Sequence, residues 1–296
     1  MSVDITQKEQ VVAAAIREIS HIATLPEVTL KIIQLVEDPN STAQELHNVI
    51  AKDPALCTRI LKVVNSAFYG LPGQIGSINR AIVLLGLNAV KNIAIAASLA
   101  KLFRGGQLSQ GLSAKDLWMH SIAVGTANKM LADSLKLSLA DEAFLAGLIH
   151  DVGIMVQLQY DRNKLIEVID KTCANGPDKP GDMLEIETQV FGATHQDFGA
   201  ALCEKWKFPR SFAFVTGWHH RPLELKPEHR TLASMVFVSD RLAAQIAKGG
   251  FRLDVRHTEI PAEILEDLKL TPEAVENIRQ KLPEALAQVE ALLGGG

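Results

Sequence analysis

Apolar residues recur at three- and four-residue spacing almost from end to end of this chain, and no stretch sustains the two-residue alternation of a strand. That regularity argues against sandwiches, barrels and α/β layers, and it predicts an all-α fold. Start and stop signals then divide the pattern into helices. Val11 to Ile22 has helical spacing, and Leu25-Pro26 opens a second helix through Val36, proline being tolerated in a first turn. Asp38-Pro39-Asn40 breaks it, and Ser41 or Thr42 caps the next helix with Glu45 placed for a capping box. Asp53-Pro54 repeats the device for a helix to about Asn65. After the loop Tyr69-Gly70-Leu71-Pro72-Gly73, Ser77 caps a short helix through Leu85, and Gly86 separates it from a long apolar helix, Asn88 to Phe103.

The polar stretch 104–113, with three glycines, is the clearest internal linker. It suggests a two-part helical bundle: an N-terminal helical subdomain over 1–104, a second helical subdomain over 105–248, and a C-terminal helical cap over 249–296. Breaks inside the second part are expected at Asn175-Gly176-Pro177, Phe208-Pro209 and Arg221-Pro222, and the last helix over Pro272 to Leu293. At 47% hydrophobic residues the chain has ample material for a core, and its net charge of −4 gives no general attraction for nucleic acid or anionic lipid. No apolar run reaches the roughly 20 residues of a membrane helix, and acidic Asp4 and Glu9 do not suit a secretory signal. Cys57, Cys173 and Cys203 are widely spaced with no CxxC pair, as reduced thiols of a cytoplasmic protein would be.

Five of the nine histidines fall in one ordered series with two aspartates: His120, His150-Asp151, His195, His219-His220 and Asp240. Each lies in or beside a helical stretch, so the series can converge inside a bundle. Imidazole with carboxylate suits Fe, Mn, Ni, Zn or Mg, one ion or two. Adjacent helix residues diverge by about 100°, so His150 and Asp151 can serve one ion only where the helix ends or loosens, which Gly153 would allow. His195, His219 and His220 would complete a second position or bind a ligand's phosphate. Asp116, one turn before His120, is a candidate eighth donor.

The order and contexts of these residues resemble the HD superfamily of metal-dependent phosphohydrolases, and within it the HDOD family of bacterial signalling output domains. In the first half the resemblance is carried by Leu25-Pro26, Asp53-Pro54-Ala55-Leu56, Val64 to Gly70, Ser77-Ile78, Ala81-Ile82 and Leu85-Gly86. In the second half it is carried by Phe144 to Gly153, Gly199 to Leu202 with Trp206, Phe208 and Pro209, and His219-His220. The resemblance implies an HD-domain-like bundle in signal output, one whose relatives mostly have no demonstrated hydrolase activity. It implies that His120, His150, Asp151 and Asp240 match the primary metal ligands. It further implies that His195, His219 and His220 match the extra ligands of the two-metal cyclic-di-GMP phosphodiesterase branch. That branch's phosphate-contacting lysine is replaced by Ile154, its Gly-Tyr-Pro signature is absent, and Arg221-Pro222 follows the second His pair where an acid is expected. A hydrolase without that cation loses charge stabilisation, with Arg221 or Arg210 as conceivable substitutes.

Two functions therefore compete. One is a regulatory module that binds a signalling protein or a nucleotide- or phosphate-containing small ligand, with weak or no hydrolysis; the other is a metal-dependent phosphohydrolase. Neither membrane nor nucleic acid is an expected partner. Elsewhere, Lys91, Lys101 and Arg104 read as a solvated helix face, Trp118, Trp206 and Trp218 as packing, and Ala174 to Asp182 as a surface connection.

Overall fold

A computed structural model of the chain describes residues 5–19, 25–66, 69–100, 102–103, 107–109, 112–174, 176, 181–246, 255 and 257–293. Helix α1 (Ile5–Glu18) is followed by α2 (Glu27–Glu37), α3 (Ala43–Ile50), α4 (Pro54–Val64), α5 (Ile78–Leu85) and α6 (Leu87–Leu99). A small antiparallel ribbon, β1 (Gln107–Ser109) with β2 (Leu112–Ser113), leads into α7 (Ala114–Ser134), α8 (Ala140–Ile149), α9 (Val152–Tyr160) and α10 (Arg162–Cys173). Then come α11 (Met183–Phe191), α12 (His195–Lys205), α13 (Arg210–Trp218) and α14 (Pro227–Ala243), with a 3-10 turn at Pro222–Glu224 between the last two. Helices α15 (Ala262–Leu268) and α16 (Pro272–Leu293) follow. The fold is all-α, as the periodicity predicts; the ribbon lies in the expected linker and is too short to show alternation.

The helix starts are chemically specified. Thr42 and Glu45 form the capping box of α3, Asp53 caps α4 with Pro54 in the first turn, and Ser77 caps α5. Ser113 with Asp116, and Thr194 with Asp197, form the same reciprocal box on α7 and α12. Each box satisfies amide groups that would otherwise lack a partner at the helix start. Two ends differ from expectation: α1 begins at Ile5 rather than near Val11, and α6 stops at Leu99 rather than Phe103. Ile22, Ala67, Phe68, Lys101, 104–106, 110–111, Asn175, 177–180, 247–254 and 294–296 carry other sequence expectations and lie outside the described residues.

One continuous apolar core runs from Ala15 and Ile19 to Leu286 and Leu293. Helix α7 sits at its centre against α8, α14 and α16. Where α7 crosses α8 the backbones nearly touch: a Cβ on Gly147 would lie 2.6 Å from Gly125 Cα. The Trp118 indole donates to the Leu293 carbonyl at 2.9 Å and packs on Phe103 at 4.8 Å between ring centroids, which pins the end of α16 to α7.

Lys91 corrects the reading of a solvated face. It is 1% exposed, and its ammonium donates to the Leu35 carbonyl and to Ser41 Oγ. Burial lowers its pKa, opposed by the nearby acids Asp38 and Glu45. The stem lies among apolar neighbours while the head satisfies an acceptor at the end of α2. A lysine on an apolar helix gives no sign in sequence that a neighbouring helix end lies within reach.

Gly147→Ala should destabilise the chain by about 1–3 kcal/mol through overpacking at the α7/α8 crossing. Gly76→Ala, with nothing within 4 Å of the added methyl, should change stability by less than about 0.5 kcal/mol. Equal urea midpoints for the two variants would contradict the close crossing. Burial pushes the Cys203 thiol up to about 12, whereas Cys173 is exposed; a thiol reagent at pH 8 should label Cys173 in the native protein and Cys203 only after denaturation.

Candidate metal centre

The chain leaves helical hydrogen bonding between two consecutive donors. His150 is the last residue of the α8 turn and Asp151 the cap of α9, with φ −99° and ψ 17°. An aspartate at such a position ordinarily accepts from its own helix; this one makes no side-chain cap bond and turns inward. Two neighbouring side chains thereby face one point, with His150 Nε2 3.1 Å from Asp151 Oδ2.

Gly153 contributes differently from the loosening expected of it. Its φ is not positive, but a Cβ there would lie 1.8 Å from the His195 carbonyl oxygen and 2.8 Å from the Gly199 amide nitrogen. Only a hydrogen fits between α9 and α12, and this contact carries His195 to 3.6 Å of Asp151 Oδ1. On the other side, Asn128 donates to the Ala143 carbonyl at 2.7 Å and accepts from Ser239 Oγ at 3.1 Å. It thereby ties together α7, α8 and α14, the helices that bring His120, His150 and Asp240.

The seven residues of the sequence series come together as two groups sharing Asp151. Ligand-capable atoms of His120, His150 and Asp151 lie within 4.8 Å of one another, and so do those of His195, His219 and His220. Asp240 Oδ1 is 3.1 Å from His120 Nε2. Asp151 spans the groups: Oδ2 faces His150, while Oδ1 lies 3.4 Å from His219 Nε2 and 3.6 Å from His195 Nε2. Six of the seven are buried, and His220 is half-buried.

The local chemistry fits a cation. Among the described residues the ion-pair partners of Asp151 and Asp240 are imidazoles alone, so the charge of two buried acids depends on the histidines around them or on a cation among them. His150 Nδ1 lies 2.7 Å from the Gly147 carbonyl and His219 Nδ1 3.1 Å from the Val215 carbonyl. A carbonyl can only accept, so both rings carry a proton on Nδ1 and present Nε2 to the cluster. The Nε2 atoms of His195 and His219 approach to 3.4 Å, and those of His195 and His220 to 3.1 Å. Nitrogen lone pairs so close repel unless a cation or proton lies among them. Burial alone would raise the Asp151 pKa, yet the imidazoles around it, His150 foremost, hold it well below the usual range. Burial lowers His219, and burial with the neighbouring imidazoles takes His220 well below the ordinary histidine value. Ionised aspartate beside neutral imidazole is the state in which these side chains ligate metal.

Two further candidates lie elsewhere. Asp116 is exposed, and its Oδ2 accepts from the Ser113 amide at 2.7 Å and hydroxyl at 2.6 Å. Capping α7 holds it outside the bundle, so it is no eighth donor here. Arg221 follows His220 but sits on the surface, 3.6 Å from Glu224. Both border a cleft of about 240 Å³ whose other walls include Glu224, Phe237 and Glu263. Trp206 packs on Phe208 at 5.9 Å between ring centroids. Arg210 lies over the Phe214 ring.

Sequence reasoning missed Glu187 and Gln157. Glu187 is fully buried, accepts from the His195 amide at 3.0 Å and from Gln157 Nε2 at 2.8 Å, and lies 3.0 Å from His195 Nδ1. The available signal was an acid on the apolar face of α11, in line with Met183 and Phe191, both buried.

The sequence model of the HDOD domain matches residues 22–222. A curated, uncharacterized protein of Treponema pallidum (strain Nichols) is 25% identical over 232 residues, 78% of this chain and 44% of that protein. The chain thus spans less than half of that relative. Among solved structures, an HDOD domain protein of unknown function from Geobacter sulfurreducens is 20% identical with a TM-score of 0.77, covering 98% of this chain and 99% of its own. One from Shewanella amazonensis SB2B, provisionally named a phosphohydrolase, is 22% identical with a TM-score of 0.71, covering 95% and 97%. One from Marinobacter aquaeolei VT8, provisionally named a signal transduction protein, is 22% identical with a TM-score of 0.75, covering 99% and 67%. At these identities the likeness is one of fold.

Divalent metal at about 100 times its Kd should raise the unfolding free energy of metal-free protein by about 2.7 kcal/mol. The gain should vanish in Asp151→Asn, whose side chain keeps its shape but not its charge. Thermal melts with and without Mn, Fe, Ni, Zn or Mg measure this, and an equal gain in the variant would remove Asp151 from the centre.

Proposed function

The chain belongs to the HDOD family, and from that premise we propose that it is a signal-output module whose buried centre holds metal and whose role is binding rather than turnover. The partner is a signalling protein or a small phosphate-containing ligand, and hydrolysis is weak or missing. His120, His150, Asp151 and Asp240 form one metal position, and Asp151, His195, His219 and His220 the other.

The observation that carries this reading is the company the aspartates keep. The charged partners of Asp151 and Asp240 among the described residues are histidines alone. Ile154, where the resemblance expects a phosphate-contacting lysine, is fully buried in the core. Arg221 pairs with Glu224 on the surface, and the cleft at His220 carries Glu224 and Glu263 on its wall. Phosphoryl transfer depends on positive groups placed where charge develops, and this surround provides little of it. The cleft's 240 Å³ is also below the roughly 300–1,000 Å³ usual for organic ligands. Asp151 is held well below the usual carboxylate range by the imidazoles around it, burial lowers His219 and His220, and the packed helices exclude water from six of the seven.

A metal-dependent phosphohydrolase is the second reading, favoured by the bridging position of Asp151. A cation held there would supply Lewis acidity and lower the pKa of a bound water.

Elemental analysis of freshly purified protein should find one or two metal equivalents. A screen of cyclic dinucleotides, nucleotides and simple phosphate esters, with each candidate ion supplied, should show no turnover above background. Robust hydrolysis lost in Asp151→Asn would establish the second reading instead. Protein that takes up no ion after reconstitution would overturn both.

A further inference from the structure

Each of three imidazoles in the centre has its Nδ1 engaged, but not alike. His150 and His219 meet backbone carbonyls, at 2.7 Å and 3.1 Å. His195 meets a carboxylate, with both oxygens of Glu187 3.0 Å from its Nδ1. Glu187 is buried as fully as the donors themselves, and three contacts hold it. One oxygen accepts from the His195 amide at 3.0 Å, and the other from Gln157 Nε2 at 2.8 Å. The third contact is the ring. An acid on the apolar face of α11, joined to α9 through Gln157 and to α12 through His195, is costly to bury unless its charge is used.

We infer that Glu187 is a positioning residue: it fixes His195 as the Nδ1–H tautomer and aims Nε2 at the point shared with His219, His220 and Asp151. The strength of this second metal position is thereby set by a side chain that never touches the ion. The inference rests on the metal-binding reading above and deepens it. A carboxylate accepts from Nδ1–H more strongly than a carbonyl does, orienting the ring and making Nε2 a better donor. The two positions therefore differ. In the group containing His120 and His150, the described Nδ1 contact is to a carbonyl; the group containing His195 adds an anion behind its ring. A purely structural Glu187 would staple α11 to α9 and α12 without regard to which ring nitrogen carries the proton.

Glu187→Gln, which keeps the shape and removes the charge, separates these cases. Metal titrations of wild-type and variant protein, followed by calorimetry, should show one binding step weakened by roughly 10- to 100-fold and the other unchanged. In metal-free protein, two-bond nitrogen–proton NMR correlations should place the His195 proton on Nδ1 in the wild type and on both nitrogens in the variant. Circular dichroism melts report whether the variant is folded, and Glu187→Asp, which retains the anion, should recover part of the lost affinity if Gln does not fold. Unchanged affinity in a folded variant, or an Nε2–H tautomer in the wild type, would overturn the assignment. If the wild type binds no ion, the metal reading fails by itself, and the NMR comparison still decides whether Glu187 sets the tautomer.

Discussion

A carboxylate sealed inside an apolar bundle must be answered by positive charge or by several donors, and three are buried among the described residues: Asp151, Glu187 and Asp240. Glu187 is answered by amide, imidazole and Gln157. Asp151 and Asp240 are answered only by imidazoles, at 3.1–3.6 Å, among the described residues. That asymmetry organises the second half of the molecule. The helices are arranged so that ring nitrogens surround two acids, an arrangement whose charge a bound cation would balance.

Bringing seven donors from six helices to one place demands backbones closer than ordinary side chains allow. Two glycine crossings supply this. Gly125 and Gly147 let α7 and α8 meet, and Gly153 lets α9 press on the backbone of α12 beside His195. Both crossings are core packing and site construction at once, because the donors lie on the inward faces of the same helices. An ion held there would link metal occupancy to folding stability, since an ion that binds only the assembled cluster stabilises the assembled state. The Asn128 bridge among α7, α8 and α14 plays the same part with hydrogen bonds.

In the proposed reading the surroundings of this centre are less suited to turnover than its donors are. The residue that would have carried a phosphate-facing cation is an isoleucine in the core, the next arginine is paired outside, and the cleft at the half-buried histidine carries acids. Donor geometry and substrate handling are separable, so a domain can keep the first while its binding surface serves regulation.

The helical class, the caps at Asp53 and Ser77, and the order of the seven donors were all legible along the chain. Each depends on neighbours a few residues away: a capping oxygen reaches amides two or three positions on, and apolar periodicity records which face is inward. The tandem His150-Asp151 also announced a helix break, since unbroken geometry would point the two apart. What the chain alone could not reveal was decided across helices. Lys91 looked solvated until the end of α2 lay beside it, and Asp116 looked like a ligand until its own cap claimed it. Gly153 looked like a hinge until α12 lay against it, and Glu187 looked like any helix acid until its face proved to be the buried one. A side chain's identity specifies what it can bond to, but only the packing of distant segments settles which partner comes within three ångströms.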